Sequence, residues 1–563
     1  MKHRPWVQCS FCVFFAMVLG ATSLFAQNAR TQAGNFLLHH AKIYTLNHQY
    51  PQVDAMAIRA GRIVAIGSSK QLMRQFPKLR KIDAGGKTVI PGLIDAHAHL
   101  MGLGESLLAA NLVGTTSKAE IIQRLKDFAG KQTEGEWVLG RGWDQNDWDE
   151  KTFPSAKDLD AAFPNKPVWL VRIDGHAGWG NTAALRRLGE APEKTVEPAG
   201  GKIFRDDKGW PTGIFIDNAM NLIEMRIPQP TESMLDRALQ LAIQNCISLG
   251  LTGVHDAGTS LTTLERYKKA IHQNKFDLRV YAMADGPLGA FEHLRKNGPL
   301  MNYRHKLTMR SVKLYMDGAL GSRGAALLED YSDDTGNQGL LLTQENYFRE
   351  IVQKAVQAGI QVNTHAIGDR ANRIVLSVYE EAQALRSTKD LRNRVEHAQI
   401  VALTDVPRFA KSGIIASMQP THATSDMPWA QDRVGPERIK GGYVWQAMLK
   451  SGARLALGSD FPVELVNPML GFYAAITRQD AHGQPKDGWF PDQILSRTEA
   501  LRGFTLDAAY AAFQEKELGS LEVGKWADFV VLDRDIMTVP AIEVLETKVL
   551  ETWIGGKRVY QAK

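Results

Sequence analysis

Cysteine is scarce in this chain, with three in 563 residues. Two of them, Cys9 and Cys12, sit in an N-terminal segment that reads as removable, so only Cys246 would remain and the mature chain could not form an internal disulfide. A strong charge of one sign is also missing. The formal net charge is +6, falls to +4 once Lys2 and Arg4 leave with that segment, and involves no lysine/arginine run, which argues against a nucleic-acid partner. No serine lies in a G-x-S-x-G elbow. The glycine-rich stretches MGLGES and GALGSRG lack the Lys-Ser/Thr ending of a phosphate loop and do not complete a dinucleotide fingerprint, which argues against nucleotide binding. Repeats and low-complexity tracts are likewise not found, and Pro, Gly and Asp around residues 190–213 suggest an irregular loop.

The apolar stretch Phe11–Leu19, preceded by Lys2 and Arg4 and followed by small residues up to Ala26, reads as a secretory signal over residues 1–26. It is short for a membrane span, so the expectation is cleavage near Ala26, release to the periplasm or the medium, and no stable membrane insertion afterwards. The composition of the whole chain, 44% hydrophobic and 23% charged, is that of an ordinary soluble globular protein, and its length suggests one large domain with an accessory one.

Residues 34–90 carry short strand-like runs (FLLHHAKIYTL, AMAIRAGRIVAIG, RKIDAGGKTVI), and residues 515–563 have the same texture. Two β-rich ends around a different middle predict one small β-sandwich domain assembled from both termini. Between them, residues 91–500 alternate apolar strand-like runs with helical patterns such as 344–358, 370–385 and 405–412, the signature of parallel β/α units. Strands are expected to end near Asp95, Asp256, Ala284, Asp317, His365, His397, Gln419 and Asp460. Eight such strands close a (β/α)8 TIM barrel, an α/β fold. The first interval is far longer than the others and must hold a large insertion, roughly 105–245, after strand one.

The stretch PGLIDAHAHL organises the rest. On an extended segment alternate side chains point the same way, so His97 and His99 offer two nitrogens to one side, a grip suited to a metal. The other expected strand ends add Lys313, His365, His397 and Asp460, polar groups at the end of the barrel where active sites are built. Singly each has a structural explanation; crowded at one mouth they would be costly to bury without a charge to organise them.

The ordered series PGLIDAHAHL, GRGWDQNDW, DGHAGWGNTAAL, VKLYMDGALGSR, NTHAIGD, VEHAQ and GSDFPVE resembles the metal-dependent amidohydrolase superfamily, in the amidohydrolase family 3 branch that contains N-substituted formamide deformylase. The resemblance covers essentially the whole mature chain. It implies a one- or two-metal centre in which His97, His99 and Asp460 bind the more buried ion, His365 and His397 bind the second, and Lys313, carboxylated on its amine, bridges them. An unmodified ammonium would be repelled by two dications. Zinc is the expected metal, because imidazole-rich sites with open positions suit it, although another divalent ion would serve. The chemistry implied is hydrolysis of an amide-type C–N bond, such as that of an N-acyl or N-formyl amine, by a metal-activated hydroxide, with Asp460 as base and proton shuttle. Deamination and cyclic-amide opening on the same site are the alternative reactions, and a noncatalytic binding or regulatory scaffold is the alternative class.

Within the insertion, Gly140–Asp144 and Asp174–Trp179 combine aromatics, a histidine and glycine turns, as expected of loops over a pocket. His176 is the leading candidate to touch the substrate or its oxyanion as a catalytic residue. Trp143 is a further candidate for substrate contact, although Trp143, Trp148 and Trp179 could equally pack the insertion's own core. Asp317, Arg323 and His422, just past strands four and seven, complete the expected substrate-binding set for a small molecule. A homodimer is compatible with the sequence.

Overall fold

The computed structural model describes residues 34–563 except 131–136, 174, 176, 190, 199–200, 287–288 and 386–389. The expected signal, residues 1–26, and the expected substrate residue His176 lie outside the described residues. The chain forms two compact units, a larger one running to Ala98 and continuing through Asn245–Asp460 and Glu464–Lys563, and a smaller one made of His99–Gln244 and Phe461–Val463.

The larger unit is built on eight parallel strands: β1 Leu93–Ala98, β2 Leu251–Thr259, β3 Arg279–Asp285, β4 Leu307–Tyr315, β5 Gln361–Ala366, β6 Arg394–His397, β7 Ile415–Met418 and β8 Leu455–Leu457. They pair in sequence order from β1 to β8, with the short strand Leu300–Tyr303 added antiparallel beside β4. Strands buried on both faces read as near-continuous apolar runs, and β1, β6, β7 and β8 are buried at every position. Helices Glu345–Gln357, Asp369–Ala384 and Val406–Lys411 fall where the 3.6-residue periodicity predicts them.

The last gap of the barrel is closed by side chains and single backbone bonds. The Asp95 carboxylate accepts from the backbone N–H of His97 and Ser459 and from the Ser459 hydroxyl (3.1, 3.0 and 2.6 Å). The Asp460 N–H donates to the His97 carbonyl at 2.8 Å. Gly458 permits this approach, since a Cβ there would lie 2.5 Å from Asp95 Oδ1 and 2.6 Å from the His97 nitrogen.

Two further sheets lie in this unit, the first from the N-terminal end alone and the second from both ends of the chain. One holds Phe36–His39, Ala55–Arg59, Arg62–Gly67 and Arg80–Asp83; the other places Thr88–Pro91 between Lys42–Tyr44 and the C-terminal strand Phe529–Leu532. Phe36, Ile43, Ile58, Val89, Phe529 and Trp553 are among the buried residues of their shared core, with the Phe529 and Trp553 rings stacked at 5.3 Å. A buried ion pair between Arg279 at the start of β3 and Asp528 (2.5 and 2.9 Å) fastens this core to the barrel.

The smaller unit has a six-stranded mixed sheet in the order Gly201–Arg205, Pro211–Asp217, Ala177–Gly180, Val168–Arg172, Val138–Trp143, Ala110–Asn111. Strands Gly201–Arg205 and Pro211–Asp217 overturn the expectation of an irregular loop around 190–213. Trp143, Trp148 and Trp179 pack on one another, with ring centroids 5.8–6.3 Å apart. Trp143 has no exposed surface, and its indole N–H is taken by the Leu170 carbonyl at 3.0 Å. The expectation that Trp143 contacts substrate is therefore corrected: its ring belongs to the core of the insertion, where burying it favours folding. Among the described residues no helix is long and apolar enough to cross a membrane.

Candidate metal centre

β1 carries His97 at its C-terminal end with no exposed surface. Its Nδ1 is 2.5 Å from Glu396 Oε2, so its other nitrogen faces the barrel axis, 3.7 Å from Asp460 Oδ1 and 3.3 Å from Lys313 Nζ. β6 delivers His397, whose Nδ1 is held 2.9 Å from the Gln419 carboxamide oxygen. The His97 and His397 rings are 4.8 Å apart, and the His365 ring, from β5, is 4.5 Å from His397. One ligand atom each from His97, His397 and Asp460 lie within 4.8 Å of one another, the spacing of a shared metal.

Local backbone geometry is part of the arrangement. His397 (φ 75°) and Asp460 (φ 64°) both adopt left-handed conformations, which cost on the order of 1–3 kcal/mol each and cluster at functional sites. His397 turns out of the end of β6 and Asp460 out of the segment that follows β8, so that both side chains meet at the mouth.

The electrostatics suit a cation. Burial lowers His97 to about 4 and His365 to about 3, with the Lys313 charge adding to each, and burial takes His397 well below its ordinary value. At neutral pH all three imidazoles are therefore neutral, with lone pairs to offer. Lys313 is lowered by burial to about 8, and its ammonium rests over the Tyr315 ring at 4.4 Å. Nε2 of His365 and Nε2 of His422 are buried nitrogens with no hydrogen-bond partner among the described groups. Neutral imidazoles, an acidic oxygen and orphaned nitrogens at one mouth fit a borderline divalent ion.

The remaining expected residues divide. His422, on helix Pro420–Asp426, stacks on His397 (centroids 5.8 Å, 18° between planes) and brings Nε2 to 3.8 Å from Asp460 Oδ2. His99 is the first residue of the smaller unit; it caps helix Leu100–Ser106, is partly exposed, and its N–H donates to the Phe461 carbonyl at 2.9 Å. Asp317 is corrected from substrate contact to an internal anchor. It is fully buried, and its carboxylate accepts the N–H groups of Ala326, Ile367 and Gly368 (2.8, 2.9 and 2.8 Å), fixing the turn after β5 with His365 Nε2 3.7 Å away. Burial pushes its carboxyl up to about 7 despite those donors. Arg323 makes a two-point ion pair with Asp333 (3.0 and 2.8 Å). Sequence reasoning missed Asp95, Glu396 and Gln419. The alternation R-V-E-H in β6 was the available signal for Glu396, since it sends Arg394 and Glu396 to the same side.

A parallel barrel with a histidine/histidine/aspartate centre at the C-terminal end of its strands defines a metal-dependent hydrolase of the class that cleaves C–N bonds other than peptide bonds. The chain matches the amidohydrolase family over residues 80–560 and belongs to it. It is 35% identical to the protein LONG AFTER FAR-RED 3 of Arabidopsis thaliana, over 93% of this chain and 91% of that one. With the N-substituted formamide deformylase of Arthrobacter pascens it shares 28% identity over 94% and 99%. Among solved structures, an uncharacterized metal-dependent hydrolase from Pyrococcus horikoshii superposes with a TM-score of 0.75 at 28% identity, covering 90% of this chain and 98% of that one.

Proposed function

We propose that the protein is an exported zinc amidohydrolase that cleaves N-formyl or N-acyl amines to a carboxylate and a free amine. The observation that carries this reading is the convergence of His97, His397 and Asp460, with Lys313 and His365 beside them. The full-length similarity to an N-substituted formamide deformylase supports the choice of bond.

His97, His397 and Asp460 would hold the ion, and His365 would join the shell of a second one. Zinc bound there supplies Lewis acidity, polarising the substrate carbonyl and easing deprotonation of water near neutral pH. Asp460 accepts the proton of the attacking water and returns it to the departing nitrogen, so that the amine leaves neutral. His422, 3.8 Å from the same carboxylate, is placed to donate to the substrate oxygen as negative charge grows on it.

Carboxylated Lys313 is part of the proposal. Carbon dioxide adds only to a neutral amine, and with Lys313 lowered to about 8 the neutral fraction grows as pH rises through that value. Reactivation of metal-stripped, CO2-depleted protein by zinc should accordingly increase with added bicarbonate and, compared at equal dissolved CO2, be faster toward the upper end of roughly pH 7–9. Reactivation indifferent to bicarbonate would remove the bridge and leave a one-metal site.

The reaction itself is tested by product analysis on metal-loaded protein. Formate or carboxylate released with a free amine from acyclic N-formyl and N-acyl amines is the expected outcome. Ammonia released from amino-heterocycles, or ring-opened acids from cyclic amides, would transfer the assignment to those reactions. Tight zinc binding without turnover on any of the three classes would favour a binding scaffold.

A further inference from the structure

Beneath the metal centre the barrel is not filled with aliphatic side chains. Its interior holds a connected set of buried polar groups that the reaction does not touch. Glu396 and Arg394, two residues apart on β6, both have no exposed surface. Arg394 Nε lies 2.7 Å from Glu396 Oε1, and its other guanidinium nitrogens reach Glu396 Oε2 (3.1 Å), the Ser417 hydroxyl (2.8 Å), His255 Nδ1 (2.9 Å) and the Ala96 carbonyl. The guanidinium cannot lose its proton, so the facing carboxyl is a carboxylate, an acceptor only. Its second oxygen is committed to His97, 2.5 Å from Nδ1 across the barrel.

From this geometry we infer that Glu396 is a positioning residue for the metal: by accepting the Nδ1–H of His97 it fixes the tautomer that turns the Nε2 lone pair toward Asp460 and His397. The inference rests on the reading of His97 as a ligand. A carboxylate behind a ligating imidazole also raises the basicity of the bound nitrogen. Arg394 has its own role in the arrangement: it holds the buried carboxylate in place from below and keeps it charged. An ion pair serving stability alone would not need the second oxygen to meet a ligand histidine, and a buried pair is weak support for stability in any case.

Zinc affinity of the full-length apoprotein, measured by competition with a chromophoric chelator, tests this in wild type, His97→Ala, Glu396→Gln and Glu396→Leu. Circular dichroism and melting in excess chelator check that each variant folds. The expected result is loss of tight zinc binding in His97→Ala, a rise in zinc Kd of about 10–100-fold in Glu396→Leu, and a smaller rise in Glu396→Gln, whose amide oxygen still accepts the Nδ1–H. Weakened binding in His97→Ala with wild-type affinity in Glu396→Leu would overturn the positioning role and leave the metal site standing. Unchanged affinity in His97→Ala would overturn the ligand reading and this inference with it. Should the single leucine variant fail to fold because Arg394 is left alone, the paired Arg394→Met/Glu396→Leu variant removes both charges together, and the same 10–100-fold weakening is expected of it.

Discussion

Asp460→Asn is expected to lower kcat/KM by about 10²–10⁴-fold at saturating zinc, the range associated with loss of a positioned acid–base group. Asparagine is the informative replacement because position 460 has φ 64°, a conformation that Asn tolerates and that alanine adopts only with strain. The variant keeps the fold and an oxygen at the metal but cannot take a proton from water or return one to nitrogen. The deficit should appear in kcat more than in KM, since substrate binding does not need the proton. Activity within a few-fold of wild type, with zinc occupancy verified by elemental analysis, would show that another group carries the proton. His422 Nε2, 3.8 Å from Asp460, would then be the first to replace.

Metal removal should have the other large effect. Chelation is expected to abolish turnover and zinc to restore it. Binding to the folded form alone stabilises it by about 2.7 kcal/mol at a hundredfold excess over Kd, so the melting temperature should fall by a few degrees in the apoprotein. Stoichiometry decides the architecture. About two zincs per chain, falling in both His97→Ala and Lys313→Ala, would support the bridged centre; about one, unaffected by Lys313→Ala, would support a mononuclear site around Asp460. A protein that turns over fully after exhaustive chelation would contradict the hydrolase chemistry proposed here.

The barrel was legible because its strands are buried on both faces. Such strands read as apolar runs stopped by a polar residue, and all eight expected ends fall within three residues of the observed ones. Asp460 illustrates the remaining discrepancy: β8 ends at Leu457, and Gly458-Ser459-Asp460 departs from the ladder to bond β1. Lys313, His365 and His397 became candidates through their place at those ends, and His422 through its place just past strand seven. Glu396 did not, because its partner His97 is 299 residues away and no local pattern links them. Asp317 looks like a site residue from its glycine-rich surroundings, yet its carboxylate is buried and accepts from three backbone amides, contacts that no local reading can supply. Trp143 shows the same limit from the apolar side, since an aromatic beside glycines serves a pocket or a core equally well until burial is known.

The strand that leads directly into His97, Thr88–Pro91, has its antiparallel neighbour at Phe529–Leu532, with Val89 opposite Val531. During vectorial synthesis, the N-terminal sheet must therefore wait for more than four hundred residues before its central partner exists. Such long-range closure is slow and leaves an unpaired edge exposed meanwhile. On the proposed export route that delay would be an advantage, because the last segment to arrive is the one that locks the first.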